Sequence, residues 1–248
     1  MRKSFLGIFG LALLAFVVPT GAKDQTITRT VPFVRGGALR IENVNGSVEI
    51  RGWDRDEIEI RAVKSAARSE DLDLVQVEIK NTADHVEIDT RYPADQGVDV
   101  SVEYLIHVPR RVVLEAAATV NGAVRVSGVE GSGELRSVNG DIEVSEAGGG
   151  FNARTTNGSI REELQSYASK PLDLETMNGS IFVALPSNAG AEIDALSMNG
   201  DIRTQKPILL KGAYTRGSFR GMLGTGGAPL KIRTVNGAIQ IAVFSATV

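Results

Sequence analysis

Apolar and polar residues alternate along most of the chain, and the dipeptide Asn-Gly interrupts the alternation at regular intervals. From the second copy onward the intervals are 18, 18, 21, 21 and 37 residues. A marker this regular indicates an internal repeat, because unrelated turns would be spaced irregularly. The copies begin at Asn45, Asn121, Asn139, Asn157, Asn178, Asn199 and Asn236.

The residues around each Asn keep their character through the later copies. A hydroxyl residue lies two positions before it, as at Thr119 and Ser137, and an apolar residue lies four positions before it, as at Leu135. A β-branched residue lies three positions after it, as at Val124 and Ile142. Alternation with period two on both sides of a turn predicts a strand, a turn and a second strand in each repeat. The hydroxyl column shares its parity with the apolar column, so we expect it to face inward or to lie at a corner.

Each repeat is too short to bury its own apolar face, so successive repeats must stack. Equivalent residues recur once per repeat, which favours parallel ladders with a rise of about 4.8 Å per coil. The sequence therefore predicts an all-β fold, a single-domain parallel β-solenoid of about 18–21 residues per coil. An array of Asn-Gly hairpins is the alternative, because this dipeptide is the strongest short hairpin signal.

Asn-Gly suits a corner that bends in the same way in every coil, because Gly adopts positive φ at little cost and Asn tolerates it. Stacked Asn amides are also expected to hydrogen-bond along the ladder. The interval of 37 residues before Asn236 is explained if residues 216–219 form a degenerate corner. The final apolar strand, Ala238–Phe244, has no evident cap and is predicted to be an edge open to self-association.

The first half of the chain shows strand-like alternation without the regular marker, and we interpret residues 23–116 as an N-terminal β-rich cap on the repeat region 117–248, in one continuous domain. A short helix is predicted within Lys64–Leu74, and a hairpin is predicted around residues 81–84. The predicted strands are Thr26–Val31, Ala38–Ile41, Ser47–Ile50, Glu57–Val63, Val75–Ile79, His85–Asp89 and Val98–Val108.

The first 22 residues have the order of a secretory signal peptide. Two basic residues, Arg2 and Lys3, precede an apolar run from Phe5 to Val18, and small residues lead to a predicted cleavage after Ala22. The run is shorter than the roughly 20 residues that span a bilayer, which disfavours an uncleaved anchor. We expect an exported protein, periplasmic or on the cell surface, with no membrane span after cleavage.

Composition narrows the possible chemistry. The chain has no cysteine, which excludes disulfides, thiolate metal sites and a cysteine nucleophile. Lys and Arg number 27 against 30 Asp and Glu, so the chain lacks the basic excess of nucleic-acid-binding proteins. Its two histidines, His85 and His107, are predicted to be strand residues rather than catalytic groups.

Two ligand-binding interpretations are disfavoured by the pattern. The glycines of segments 146–150 and 221–227 precede no convincing helix, so we interpret them as wide turns rather than phosphate-binding loops. Calcium binding beside the corners would need several oxygen ligands per site, whereas Asp follows Asn-Gly only at Asp141 and Asp201. We therefore assign no catalytic, cofactor-binding or metal-binding residues and expect no cofactor.

A carbohydrate-active β-helix enzyme is the main enzymatic alternative, since a glycosidase needs only two suitably spaced carboxylates. The mixture of charges on the predicted outward columns resembles a solvated surface more than a site, and short coils leave little room for a pocket. The candidate residues are Glu143, Glu162, Glu163 and Glu175, with Arg136, Arg154, Arg203 and Arg233 nearby.

Several motifs together resemble the DUF4097 family of exported bacterial proteins with β-strand repeats and an adhesin-like label. They are Gly52-Trp53-Asp54, His107-Val108-Pro109, the segments 137–144 and 176–181, and Leu185-Pro186. The resemblance covers about residues 27–241 and implies a bacterial β-solenoid, with no catalytic residues to carry over.

These observations predict a non-catalytic exported envelope protein that binds or scaffolds through a repetitive surface. The expected partner is an envelope protein or a polysaccharide, and not a nucleic acid. The alternatives are the carbohydrate-active enzyme and a self-assembling structural protein.

Overall fold

The computed structural model describes residues 24–94, 97–167, 170–204 and 210–244, and these ranges are mostly β-strand. The predicted signal peptide, residues 1–22, lies outside the described residues. One helix, α1 (Ser69–Leu72), occurs in these ranges, and none of their helices has the length and apolar character needed to cross a membrane.

The first half of the chain forms strands close to the predicted ones, and residues 81–84 join an antiparallel hairpin as predicted. The helix is shorter than predicted because Lys64, Ser65 and Ala66 extend the preceding strand. Lys64 is buried, and its Nζ donates to the carbonyls of Leu72 and Val75, 2.9 Å away in each case. The strands are β1 (Asp24–Pro32), β2 (Ala38–Glu42), β3 (Val48–Trp53), β4 (Glu57–Ala66), β5 (Gln76–Asn81), β6 (His85–Arg91) and β7 (Val100–Pro109).

The second half alternates between strands that precede an Asn-Gly corner and strands that follow one. The strands up to the last regular coil are β8 (Val113–Asn121), β9 (Val124–Ser127), β10 (Ser132–Asn139), β11 (Ile142–Ala147), β12 (Phe151–Asn157), β13 (Ile160–Leu164), β14 (Leu172–Asn178) and β15 (Ile181–Pro186). The remaining strands are β16 (Ala191–Ser197), β17 (Ile202–Thr204), β18 (Leu210–Tyr214), β19 (Ser218–Leu223), β20 (Ala228–Asn236) and β21 (Ile239–Phe244).

These strands build two large, mostly parallel sheets. Sheet A has the order β1-β4-β7-β3-β9-β11-β13-β15-β21-β17, and sheet B has the order β18-β19-β16-β20-β14-β12-β10-β8-β2-β6-β5. Equivalent repeat positions are paired, so Ile142 lies beside Ile160 and Asn139 beside Asn157. The all-β prediction with parallel ladders is therefore confirmed, and the Asn-Gly hairpin array is wrong.

The last coil in the sequence does not lie at the end of the stack. Strands β20 and β21 lie between the coil of β14 and β15 and the coil of β16 and β17, so the C-terminal coil fills a gap left earlier in the chain. The prediction that Ala238–Phe244 is the edge of the sheet is wrong, because β21 pairs with β15 on one side and with β17 on the other.

Residues 216–219 do not form an Asn-Gly-like corner within a coil. Residues 216 and 217 lie at the tip of an antiparallel hairpin between β18 and β19, Ser218 and Phe219 begin β19, and β19 pairs with β16. The tip nevertheless packs over the outermost corner, because the Arg216 carbonyl accepts from the Ile202 N–H at 3.0 Å and the Gly217 carbonyl accepts from the Ser197 N–H at 2.8 Å. The missing Asn-Gly therefore marks an inserted hairpin.

The N-terminal strands close the opposite end in a similar way. Strands β2 and β3 continue the parallel coils, β6 and β7 lie outside them, and β1, β4 and β5 add antiparallel strands at the margins. The outermost strands at this end of the stack are therefore β1 in sheet A and β5 in sheet B. The division into a cap of residues 23–116 and a repeat of residues 117–248 stays a prediction.

The Asn side chains form a continuous ladder along one edge of the stack, as predicted. Each amide Nδ2 donates to the Oδ1 of the Asn in the neighbouring coil at 2.7–2.8 Å. In spatial order the ladder runs through Asn45, Asn121, Asn139, Asn157, Asn178, Asn236 and Asn199.

The corner glycines are required for a different reason from the predicted one. Among the seven corner glycines, only Gly46 and Gly237 have positive φ, and the value of 158° at Gly237 is close to ordinary extended backbone. A Cβ on Gly158 would instead lie 2.1 Å from the Gly140 carbonyl oxygen, and a Cβ on Gly140 would lie 1.9 Å from that of Gly122. Close stacking of the main chain, rather than backbone conformation, therefore selects glycine at these corners.

The hydroxyl column faces inward, as expected, and binds the same carbonyls. Thr155 Oγ1 donates to the Gly140 carbonyl at 2.9 Å, and Thr176 Oγ1 donates to the Gly158 carbonyl at 2.8 Å. Both threonines are buried. Because a buried carbonyl without a donor is costly, each hydroxyl stabilises the corner of the coil beside it.

We expect Asn157→Leu to destabilise the protein by about 1–2 kcal/mol, because it removes two ladder hydrogen bonds. Asn178→Leu is expected to behave in the same way, whereas Asn199→Leu removes only one ladder bond and has a smaller effect. Urea denaturation measures the three differences. Unchanged midpoints for both inner variants would show that the ladder contributes nothing to stability.

Gly158→Ala is expected to lower the free energy of unfolding by about 1–3 kcal/mol. The new methyl group would overlap a backbone carbonyl that cannot move without shifting the adjacent coil. Gly97→Ala is the matched control, since a Cβ at Gly97 would meet no atom of the described residues within 4 Å. Thermal denaturation compares the two proteins. Equal melting temperatures would contradict the stacking explanation.

Candidate binding surfaces

The outer face of sheet B carries a row of charged side chains with one residue per coil. Arg136, Arg154, Glu175 and Arg233 occupy successive paired positions. Arg154 Nη2 lies 2.7 Å from Glu175 Oε2, and Arg233 Nη2 lies 3.9 Å from Asp194 Oδ2. Exposed ion pairs of this kind add little to the free energy of unfolding. We therefore treat the row as a candidate contact surface rather than as a stabilising element.

The outer face of sheet A carries a second row of mixed character. Arg125, Glu143, Arg161 and Phe182 are successive partners in the ladder. Arg125 Nε lies 3.8 Å from Glu143 Oε2, and the Arg161 guanidinium lies 4.1 Å from the centre of the Phe182 ring. Further along this face, Arg203 pairs with Asp201 at 2.9 Å.

The predicted carboxylate candidates do not converge on one site. Glu143 and Glu163 share the outer face of sheet A, where Glu163 is paired with Arg161, whereas Glu175 lies on sheet B. The expectation that Glu162 faces outward is wrong. It is fully buried, because it occupies an inward position of β13 that the other coils, apart from the one with Thr204, fill with an apolar residue.

Glu162 fills a polar gap in the core behind a glycine-rich turn. Its Oε1 accepts a hydrogen bond from the Phe151 N–H at 2.9 Å, and its Oε2 is buried without a partner within the described residues. Burial raises the pKa of this carboxyl to about 8, against an unperturbed value of 4.5, because the charged form loses its hydration. Glu162 is therefore a structural side chain that carries its proton through much of the neutral range.

A groove of about 460 Å³ opens at the turns where the chain passes from sheet A back to sheet B. Five of its lining residues are glycines, so main chain forms much of its surface. The turns stack closely, since a Cβ on Gly131 would lie 1.7 Å from the Val112 carbonyl and one on Gly149 would lie 2.1 Å from the Gly131 carbonyl. Residues 148–150, interpreted from the sequence as part of a wide turn, form part of this groove.

Polar side chains line the rim of the groove. Arg111 Nε lies 3.3 Å from Glu130 Oε2, and Lys170 Nζ donates to Ser132 Oγ at 3.1 Å. Tyr167 closes one side, and its hydroxyl donates to the Pro229 carbonyl at 2.9 Å. The groove therefore combines a backbone floor with charges of both signs at its edge.

An exposed apolar row runs beside the Asn ladder, and sequence reasoning missed it. It consists of the residue directly before the Asn, which is apolar in every coil except at Thr156, and its most exposed members are Met177 and Met198, at 52% and 69%. Val120 and Val138 are exposed in the same position. The signal was visible in the sequence as an apolar residue on the polar side of the alternation.

The remaining residues singled out from the sequence have structural partners. His107 stacks on Trp53 with ring centres 5.1 Å apart, and His85 Nδ1 lies 3.7 Å from Glu115 Oε1, so both are strand residues as predicted. Hydrogen bonds from Arg216 and Arg203 hold the pKa of the Asp201 carboxyl below its usual range. Within the described ranges, no group of three or more His, Asp or Glu residues is arranged to hold a metal ion.

We expect Glu162→Gln to remove a pH dependence from stability. The folded state holds a proton that the unfolded state has released between pH 4.5 and about 8, so the free energy of unfolding falls as pH rises through this window, by up to about 1.4 kcal/mol per pH unit. Gln keeps the carbonyl that accepts from Phe151 and does not titrate. Urea midpoints at several pH values measure the pH dependence of stability for the wild type and for Glu162→Gln. Glu163→Gln, which changes the adjacent outward-facing residue, is the control. Parallel pH profiles for wild type and Glu162→Gln would contradict the assignment.

A solved structure has a fold similar to that of this chain. The solved structure of a candidate cell adhesion protein from Clostridium sporogenes is similar to this chain, with a TM-score of 0.51 and 12% identity over 88% of this chain and 99% of that one. A candidate adhesin from Bacteroides fragilis, also 12% identical, has a TM-score of 0.36 over 88% of this chain and 97% of that one. No curated protein matches the chain.

The architecture also agrees with a family assignment. The profile of a family described as Toastrack DUF4097 matches residues 2–242, which is nearly the whole sequence. The resemblance carried by the motifs between Gly52-Trp53-Asp54 and Leu185-Pro186 is thereby confirmed, and the chain belongs to the Toastrack DUF4097 family.

Proposed function

We propose that this chain is a non-catalytic, exported protein of the bacterial envelope that binds or scaffolds partners through the outer surface of one single-domain β-solenoid with coils of about 18–21 residues. The observation that carries the proposal is the parallel register, which places like positions of successive coils in rows along both sheets. A repeating surface suits a partner that is itself extended, such as a polysaccharide or an envelope protein.

The contents of the rows support binding rather than catalysis. Charged side chains in both rows pair with their neighbours, and the candidate carboxylates are divided among two outer faces and the core. A glycosidase would need two of them across one cleft. The adhesion label of the Clostridium sporogenes protein agrees with this interpretation.

Export and location belong to the same proposal. The signal-like order of residues 1–22 supports export, and an address in the periplasm or at the cell surface would bring the repetitive faces to envelope partners. We do not propose self-assembly through the final strand, because β21 lies between β15 and β17 and is not an edge strand. We propose no cofactor and no nucleic-acid partner.

The proposal is tested by incubating protein of residues 23–248 with isolated cell envelopes, of which one portion is stripped of protein and another is oxidised to destroy glycans. We expect saturable binding that one of the two treatments abolishes, which identifies the partner as protein or polysaccharide. Absence of saturable binding to every sample would contradict the proposal.

Two charge reversals locate the binding face in the same assay. Arg154→Glu changes the row on sheet B and Arg161→Glu changes the row on sheet A, and both residues are exposed and paired with a glutamate. We expect one variant to weaken binding and the other to serve as its matched control. If neither variant changes binding, the charged rows do not form the contact surface.

A further inference from the structure

The seven Asn-Gly corners differ in how firmly their amides are held. Each inner Asn donates to one neighbour and accepts from the other, as Asn157 does between Asn139 and Asn178. Asn199 is the outermost member at the C-terminal end of the stack. Its Nδ2 donates to Asn236 Oδ1 at 2.8 Å, and within the described residues its Oδ1 accepts no hydrogen bond.

The backbone nitrogen of the corner glycine differs in the same way. In five corners the glycine N–H donates to the main-chain carbonyl of the Asn in the neighbouring coil at 2.8–3.0 Å, namely at Gly46, Gly122, Gly140, Gly158 and Gly179. The N–H groups of Gly200 and Gly237 have no such acceptor in the part of the chain that the structure describes. The Asn236 amide still donates one hydrogen bond and accepts another. Among the corners, only that of Asn199 therefore lacks both an amide hydrogen bond to its Oδ1 and a backbone acceptor for its glycine N–H within the described residues.

We propose that Asn199–Gly200 is a site of spontaneous deamidation and that the stack protects the inner Asn-Gly corners from this reaction. The Gly200 nitrogen attacks Asn199 Cγ, a new N–Cγ bond forms, the Cγ–Nδ2 bond breaks, and the displaced nitrogen leaves as ammonia with the proton of the glycine nitrogen. Water then opens the resulting five-membered imide at either carbonyl. The products are aspartate and isoaspartate, and no oxidant or metal is needed.

Asn-Gly is a reactive sequence because glycine places no side chain in the path of ring closure. The reaction needs a nitrogen that can lose its proton and an Asn side chain that can rotate toward it. At Gly158, for example, the N–H is bound to the Asn178 carbonyl at 3.0 Å, and the Asn157 amide is held from both sides. Asn199 is exposed, lies outside any strand and is held by one amide hydrogen bond instead of two. The Gly200 N–H has no backbone acceptor in the described ranges, so this corner meets the two requirements better than the inner ones.

Conversion at Asn199 changes the end of the ladder rather than its middle. The new carboxylate cannot donate to Asn236 Oδ1, so the outer coil loses one hydrogen bond and gains a negative charge near Asp201. The isoaspartate product also lengthens the main chain by one methylene group at the corner over which the Arg216–Gly217 hairpin tip packs.

Peptide mapping by mass spectrometry tests the proposal on purified protein aged at mildly alkaline pH, folded and in urea. Tryptic peptides 137–154, 155–161 and 234–248 separate Asn139, Asn157 and Asn236, and fragmentation of peptide 162–203 distinguishes Asn178 from Asn199. We expect Asn199 to convert several-fold faster than Asn157 in the folded protein, and the two rates to converge in urea. Equal rates in the folded protein, or an Asn157 rate that urea does not raise, would overturn the proposal.

Two matched variants test the assignment without peptide mapping. Asn199→Gln removes the favoured ring closure at the outer corner, and Asn157→Gln removes it at an inner corner. We expect early ammonia release from the folded protein to be lost in Asn199→Gln and retained in Asn157→Gln. Unchanged ammonia release from Asn199→Gln would show that another residue is the source.

Discussion

The stack depends on the approach of one main chain to the next at the Asn-Gly corners. Glycine carbonyls lie where the Cβ of the following corner would be, so only a chain of glycines allows the coils to stack at this distance. The same carbonyls accept the buried Ser and Thr hydroxyls, and the Asn amides bind one another on the outside. A single packing constraint therefore explains why three neighbouring columns of the repeat keep their residue types.

The sequence predicted the elements that follow from a local repeat. Alternation around each Asn identified the strands, the parity of the hydroxyl column placed it inward, and the constant spacing predicted parallel pairing. The reason for glycine could not be found in the same way, because it lies in the distance between coils rather than in the φ of one residue. Glu162 was misplaced because its neighbours in sequence are charged, whereas the coil position that it occupies is apolar.

The spatial order of the coils was beyond the reach of periodicity. A repeat indicates that coils stack, and it does not indicate that β20 and β21 enter between two coils made earlier in the chain. The interval of 37 residues was the visible trace of this arrangement, but a degenerate corner and an inserted hairpin produce the same spacing. The candidate surfaces were predicted only as charged rows. The groove could not be predicted, because it depends on contacts between turns that are distant in the sequence.

The insertion of the C-terminal coil has a consequence for how the protein reaches its native state. In an ordinary solenoid each repeat contacts only its neighbours in sequence, so a terminal repeat can be lost without disturbing the others. Here the coil of β16 and β17 has no parallel coil beside it until residues 228–244 have been made and inserted, and before then β16 can pair only with β19 of the hairpin. A chain that leaves a ribosome or crosses a membrane from its N-terminus therefore completes this end of the stack only when residues 228–244 arrive. A truncation before residue 228 would leave the coil of β16 and β17 without its parallel partners.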